Sequence, residues 1–492
     1  MQLDLTAYRD KVKACWIGKN IGGTMGTPYE HMEQVLDIQD FATAPGEVLP
    51  NDDLDLQLVW LFALERVGPL AINAATLGEY WLSFITPYWN EYGIGKANMR
   101  RGLMPPLSGD FENNWNHSNG AWIRTEIWAC TAPGIPQLAA KYAVEDAKVD
   151  HGSGEGTFAA AFVAAMQSAA FVVSDLRKCI DIGLAAIPAA CRMAESIRLV
   201  MEYYDTGKSW LEARNAVQQR NQDIGTGWFE APSNVAFAVL GMLYGEGDFK
   251  KSMITAINCG DDTDCTGATV GATLGILYGM ERIPADWMEY IGDDIVTISI
   301  ALGSEARDAI PKTCTELTER VAALAPAALF FYSHQPGVPA VRLGDGNDIP
   351  QDIASILLSS VAKHTRPALE NLKPCTMHFI NAFLQADLTL SKDPLLGPGE
   401  ELGVHIILRN NLVYENMQHP LSLRWILPEG YTASCRGSIL LQGWDLHNNG
   451  TVSLDAVIRA GDRVNPQERM VLEITAPGRH TALYASFPVF GK

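Results

Sequence analysis

Three carboxylates crowd into four positions at Asp261, Asp262 and Asp264, within the run Cys259-Gly260-Asp261-Asp262-Thr263-Asp264-Cys265. Far upstream, Asn51-Asp52-Asp53-Leu54-Asp55 forms a second acidic turn. Aspartates in a first helical turn ordinarily cap the helix or answer its dipole. That accounts well for one carboxylate and poorly for three. Like charges this close repel unless a cation lies among them, and the hard divalent cations take carboxylate oxygens. If the chain brings the two turns together, they supply four or five oxygen ligands, enough for two cations about 3.5–4 Å apart. The alternative is a pair of separately capped buried helices, with zinc between Cys259 and Cys265 as a minor variant.

The elements that must position these acids are legible beside them. After the later cluster come Gly267, Gly271, Gly275 and Gly279, spaced four apart on one helical face in an almost uncharged segment. Each glycine costs about 1 kcal/mol against alanine inside a helix, so close packing against another helix backbone must offset the sum. The earlier turn leads into Leu56-Gln57-Leu58-Val59-Trp60-Leu61-Phe62-Ala63-Leu64, a second almost wholly apolar helix for which Asn51 is the expected N-cap. Residues 6–22 predict a helix that runs into a glycine-rich turn from Gly18 to Glu30. The spacing there is not that of a phosphate loop, because no Gly-Lys-Ser/Thr follows, and on pattern alone a tightly packed helix pair is the favoured reading of these glycines.

Composition sets limits. With 492 residues, 47% of them hydrophobic, the chain can bury a large core in more than one domain. A net charge of −20 argues against nucleic acid or an anionic membrane as partner. Nine cysteines without Cys-x-x-Cys pairs suit a reducing cytoplasm. No signal-like N-terminus and no long apolar span appear, so the chain is expected to be soluble.

The paired acidic turns resemble those of the ADP-ribosylglycohydrolase superfamily, which includes dinitrogenase-reductase-activating glycohydrolases and J1 crystallins. That family carries an early Thr/Ser-Asp-Asp element and a late Gly-Gly-Asp-Thr-Asp-Thr element followed by the same glycine-spaced helix. The resemblance covers roughly residues 6–320. It implies two Mg2+ ions, with Ca2+ or Mn2+ as alternatives, held by Asn51, Asp52, Asp53, Asp262 and Asp264. Two departures touch that set: Asn51 stands for a hydroxyl residue, and Cys265 stands for the last Thr, where a soft thiol is a poor ligand for Mg2+. A third departure is Gly23, at a position where the family has Asp.

Further matches extend the resemblance. Gly26-Thr27-Pro28-Tyr29-Glu30 resembles the family's Gly-x-x-x-Glu element, which puts Glu30 beside the substrate as the group that positions water or protonates the leaving group. Catalysis is thus expected of Glu30 and Asp262. Asn119 and Gly120 match an element at the cleft floor, and His151 and Gly152 match a His-Gly element whose His contacts substrate. Glu155 is a reserve acid. Trp228, in the loop 225–230, is expected to stack on a ring. A dense aromatic run from Tyr80 to Trp115 is mostly core by composition, with a sugar-facing surface as its other reading.

After residue 330 the character changes. Pro-Gly-Val-Pro at 336–339 marks a linker, a helix-like patch covers 353–362, and short β-prone runs follow at 404–408, 421–426, 452–458, 469–474 and 481–490. The expected architecture is mainly α: an orthogonal all-α ADP-ribosylglycohydrolase-like bundle over 1–330, a linker with a short helix over 331–375, and an antiparallel β-sandwich over 376–492. The β module is expected to dimerise the chain or shape its cleft. The expected activity is metal-dependent hydrolysis of an ADP-ribosyl or related furanosyl glycoside, a small molecule. A furanosidase or nucleoside-type hydrolase acting on a neutral saccharide is the alternative, and a non-catalytic crystallin-like protein is a third.

Overall fold

The computed structural model describes residues 1–303, 309–333, 340–412, 417–443 and 450–492. Residues 336–339, read above as linker, lie outside that set. The chain divides into two compact units. The first comprises Met1–Glu91, Asn114–Ala147 and Gly154–Leu372; the second comprises Tyr92–Asn113, Lys148–Ser153 and Lys373–Lys492.

The first unit is built on helices. Its N-terminal helix, Leu5–Gly26, is capped by Asp4, whose carboxylate accepts the N–H of Ala7. Contrary to the turn expected after residue 22, this helix runs unbroken through its glycines. The reason is its partner, the second acid helix Thr263–Tyr278. A Cβ on Gly18 would lie 2.2 Å from the carbonyl oxygen of Gly271, and one on Gly22 would lie 2.1 Å from that of Gly267. In the other direction, a Cβ on Gly275 would meet the Ala14 carbonyl at 2.3 Å. The two backbones touch through glycines of both helices, and this close packing offsets their poor helix propensity. Gly279 serves another purpose, since at φ 77° it ends the helix in the left-handed region.

The first acid helix, Asp52–Val67, has Asn51 as its N-cap, as expected. Its length from Asp53 to Leu61 is buried throughout. Helices Glu155–Ala170 and Ala231–Gly245 are buried almost throughout and complete the interior. The closing helices include Ala285–Ile291, Cys314–Tyr332 and Ile353–His364. Among the described residues, no helix is long and apolar enough to cross a membrane.

The second unit carries two five-stranded sheets. In spatial order, one runs Thr376–Ile380, Leu384–Leu390, Glu401–Asn410, Thr451–Arg459, Thr432–Ser434, all antiparallel. The other runs Leu395–Leu396, Leu483–Gly491, Gln467–Thr475, His419–Ile426, Ser438–Leu441, antiparallel except at its first pair. Strand Glu401–Asn410 alternates buried with half-buried residues, the pattern of one face turned to a core. Buried residues of both sheets belong to one apolar cluster, which also takes in Leu103, Leu107 and Phe111 from the aromatic-rich run. Elsewhere in that run, Trp81 is buried whereas Tyr88 and Trp89 are exposed.

Candidate functional site

Capping does not explain the aspartates of the second acid turn. Asp262 stands at the N-cap position of Thr263–Tyr278, yet its side chain makes no capping hydrogen bond. At the first acid helix Asn51 does the capping: its Oδ1 accepts the N–H of Asp53 at 2.8 Å. Both turns therefore have carboxylates to spare, and they converge. Ligand atoms of Glu30, Asp262 and Asp264 lie within 4.8 Å of one another, as do those of Asp53, Asp264 and Cys265. Asp264 is common to both groups.

The three acids of the later cluster are not equivalent. Asp261 adopts φ 72° and is fully employed. Its Oδ1 accepts the N–H of Phe229 at 2.9 Å and its Oδ2 the amide of Asn234 at 3.0 Å. Its backbone N–H donates to the carbonyl of Met32, and its carbonyl accepts from His31. Asp261 thus ties two loops, one of which carries Glu30. Asp262 receives the amide of Asn119 on Oδ2 at 2.6 Å, and Trp122 Nε1 fixes that amide through Asn119 Oδ1 at 3.0 Å. By contrast, Asp262 Oδ1 and Asp264 Oδ1 are buried and receive no hydrogen bond from any donor among the described residues.

Electrostatics express the same crowding. Burial, then the charges of Asp52 and Asp53, pushes the Glu30 carboxyl up to about 7. Burial, then Glu30, raises Asp264 to about 7. Burial followed by the charge of Asp264 drives Asp262 well above the usual carboxylate range. Such a group of acids favours either shared protons or a cation among them. The donor set of Glu30, Asp262 and Asp264 is all carboxylate, and two of its buried oxygens lack a donor. It fits a hard divalent cation. The set of Asp53, Asp264 and Cys265 fits one less well, because burial and the surrounding aspartates hold the Cys265 thiol in its neutral form.

Sequence reasoning passed over Lys19. Its side chain is 1% exposed, and its Nζ donates to the Ile123 carbonyl at 2.7 Å. It stands 3.2 Å from Glu126 Oε2 and 3.5 Å from Asp53 Oδ2. Burial works against its charge, but Glu126 and Asp53 outweigh burial and its pKa is raised. Glu126 is held in turn by the amides of Gln57 at 2.8 Å and Gln167 at 3.0 Å. The available signal was that Lys19 is the one charged residue between Ala14 and Gly26, a glycine-rich stretch where a buried charge needs a partner.

The remaining expected residues fall in several places. Asp52 is half-buried in the first turn of its helix. Asp55, outside the expected set, accepts the N–H groups of Ile298 and Ser299 on one oxygen, each at 2.6 Å. Gly120 offers its carbonyl to the guanidinium of Arg124. Trp228 is half-buried, and its carbonyl accepts from the Thr226 hydroxyl. Glu155 is occupied: its two oxygens accept the N–H groups of Arg192 and Met193 at the start of the helix Arg192–Asp205. His151 and Gly152 belong to the second unit, where His151 is buried with Nδ1 2.9 Å from Asp150 Oδ1.

The family model of ADP-ribosylglycohydrolase matches residues 4–326. The chain belongs to the ADP-ribosylglycohydrolase family and is a glycosyl hydrolase of that type. No curated protein matches the chain. Among solved structures, an ADP-ribosylglycohydrolase-related protein complex is 19% identical, with 65% of this chain and 99% of that one covered and a TM-score of 0.44. A FixG-related protein from Vibrio parahaemolyticus is 7% identical over 23% of this chain and 99% of its own, with a TM-score of 0.19. The GAE domain of GGA2p from Saccharomyces cerevisiae is 10% identical over 23% and 96%, with a TM-score of 0.17. The family assignment rests on the matched model and not on these likenesses.

Proposed function

We propose that this glycosyl hydrolase cleaves the bond at the anomeric carbon of an ADP-ribosyl or related furanosyl unit, with a divalent cation held by Glu30, Asp262 and Asp264. One observation carries the reading. Asp262 and Asp264 each carry a buried oxygen without a donor, and a carboxylate oxygen of each lies within 4.8 Å of one from Glu30. Mg2+ is the default ion, with Mn2+ or Ca2+ as alternatives. Bound there, a hard cation would orient ribose hydroxyls and acidify water.

The chain's own residues divide the remaining work. Asn119 orients Asp262 through its amide, and Trp122 orients Asn119. The Glu30 side chain is 35% exposed, while Asp262 and Asp264 are buried, so Glu30 is the carboxylate that reaches solvent and substrate. In hydrolysis the water oxygen bonds to the anomeric carbon as the bond to the leaving group breaks. Glu30 takes the water proton or delivers a proton to the leaving group. Asp52 and Asp53 belong to this reading as the adjoining acids. Gly120 and Trp228 remain candidate substrate contacts. The nine free thiols suit a cytoplasmic location, which is part of the same reading.

A second reading is favoured by charge. A chain of net charge −20 with an acid-lined site repels a pyrophosphate and suits a neutral furanoside or nucleoside. Competition separates the two. Under the first reading free ADP-ribose inhibits hydrolysis at concentrations comparable to substrate. Under the second it leaves the rate unchanged.

A further inference from the structure

We infer that this chain holds one divalent cation, at Glu30, Asp262 and Asp264, and that the Lys19 ammonium is the built-in counter-charge at Asp53, where a second cation would otherwise sit. The inference rests on the cation part of the reading above and says how many ions that site takes.

Two overlapping donor sets are available, and they differ in the chemistry of their atoms and in the charge that stands beside them. In the set of Glu30, Asp262 and Asp264, two buried oxygens receive no hydrogen bond. In the set of Asp53, Asp264 and Cys265, a protein cation already stands beside the carboxylate. Asp53 Oδ1 accepts the Cys265 thiol at 3.3 Å, and its Oδ2, which receives no hydrogen bond, has the Lys19 ammonium 3.5 Å away. The third donor of this set is the thiol itself, a soft atom that hard cations avoid.

Lys19 has no alternative place to go. Its helix lies backbone to backbone against Thr263–Tyr278 through the glycines on either side of it, Gly18 and Gly22. Its ammonium is anchored by the Ile123 carbonyl and by Glu126, and Gln57 and Gln167 fix Glu126. A dication bound to Asp53 would lie close to this fixed ammonium with little water between, where like charges repel most strongly. Lys19 thus sets one positive charge between Glu126 and Asp53 and repels a second ion. It is a positioning residue: it holds the Asp53 carboxylate and does not touch substrate.

The test counts ions on the full chain. Protein stripped with a chelator is titrated with Mn2+ by equilibrium dialysis, and the bound ion is read by electron paramagnetic resonance. One tight equivalent per chain, with the spectrum of an isolated ion, is expected. Two equivalents with an exchange-coupled spectrum would overturn the inference and leave the hydrolase reading standing. No bound Mn2+ would remove the inference and the cation part of that reading together. Cys265→Thr supplies a hard oxygen but keeps Lys19, so it should still bind one equivalent; two would mean that the thiol alone excluded the second ion. Adding Lys19→Met to Cys265→Thr should admit a second equivalent, and a count that stays at one overturns the role given to Lys19. The wild-type and Cys265→Thr counts decide the matter even if the double variant does not fold.

Discussion

Asp261 donates its backbone N–H to the carbonyl of Met32 at 2.9 Å, and with that bond the loop bearing Glu30 is fastened to the second acid turn. His31 N–H closes the contact by donating to the Asp261 carbonyl at 3.1 Å. A residue remote in sequence thereby becomes a neighbour of Asp262 and Asp264. Glu30→Gln keeps the shape of this loop and removes the proton acceptor. Turnover of an ADP-ribosyl substrate should fall by about 100-fold or more, the usual size of a general acid or base contribution, with the circular dichroism spectrum unchanged.

Asp261 and Asp262 are neighbours with opposite roles, and substitution should separate them. Asp261→Ala deletes the acceptor of the Phe229 N–H and of the Asn234 amide. It should cost about 1–3 kcal/mol in denaturant unfolding, because buried donors lose their partner. Cation binding should persist, since the Asp261 side chain is not among the converging ligand atoms.

The glycine contacts predict a steric result. Gly22→Ala would set a methyl 2.1 Å from the Gly267 carbonyl oxygen, and neither backbone can give way without moving a helix. The variant should lose about 3 kcal/mol or more of stability, or fail to accumulate as soluble protein. Gly303→Ala, with nothing within 4 Å, is the matched control and should shift the melting temperature little.

In the second unit, Asp387 gives a pH signature. Burial alone would raise its carboxyl, but the hydrogen bond and charge of His378, with Arg409, bring it down to about 2. A folded value below the ordinary 3.8 means stability that is fully present above about pH 4 and is lost as pH falls through about 2. Asp387→Asn should therefore cost on the order of 2 kcal/mol at pH 5. Its deficit against wild type should shrink toward pH 2 in parallel thermal melts.

These outcomes also mark where the sequence was readable. The acid turns were legible because like charges at such spacing are costly without a purpose. Strands such as Glu401–Asn410 and Gln467–Thr475 were legible because period-two alternation survives without tertiary information. The glycines from Gly18 to Gly26 were read both as a turn and as the contact of a tightly packed helix pair, and only the second holds. Nothing local tells a glycine that frees the backbone from one that lets a second backbone approach; that depends on Thr263–Tyr278, which lies far away in sequence. Lys19 was invisible for a related reason. Its partners Asp53 and Glu126 come from different helices, and no spacing rule links the three. Glu155 looked like a spare acid because the N–H groups it accepts belong to Arg192 and Met193.

The central claim is that Asp262 helps hold a cation on which hydrolysis depends. Calorimetric titration of Mg2+ into wild type and Asp262→Asn, with ADP-ribosyl hydrolysis followed on the same samples, tests it most directly. The account predicts saturable Mg2+ binding and turnover in wild type and loss of both in the variant, with the fold retained. An Asp262→Asn protein that binds Mg2+ as wild type does and turns over substrate at the same rate would contradict it.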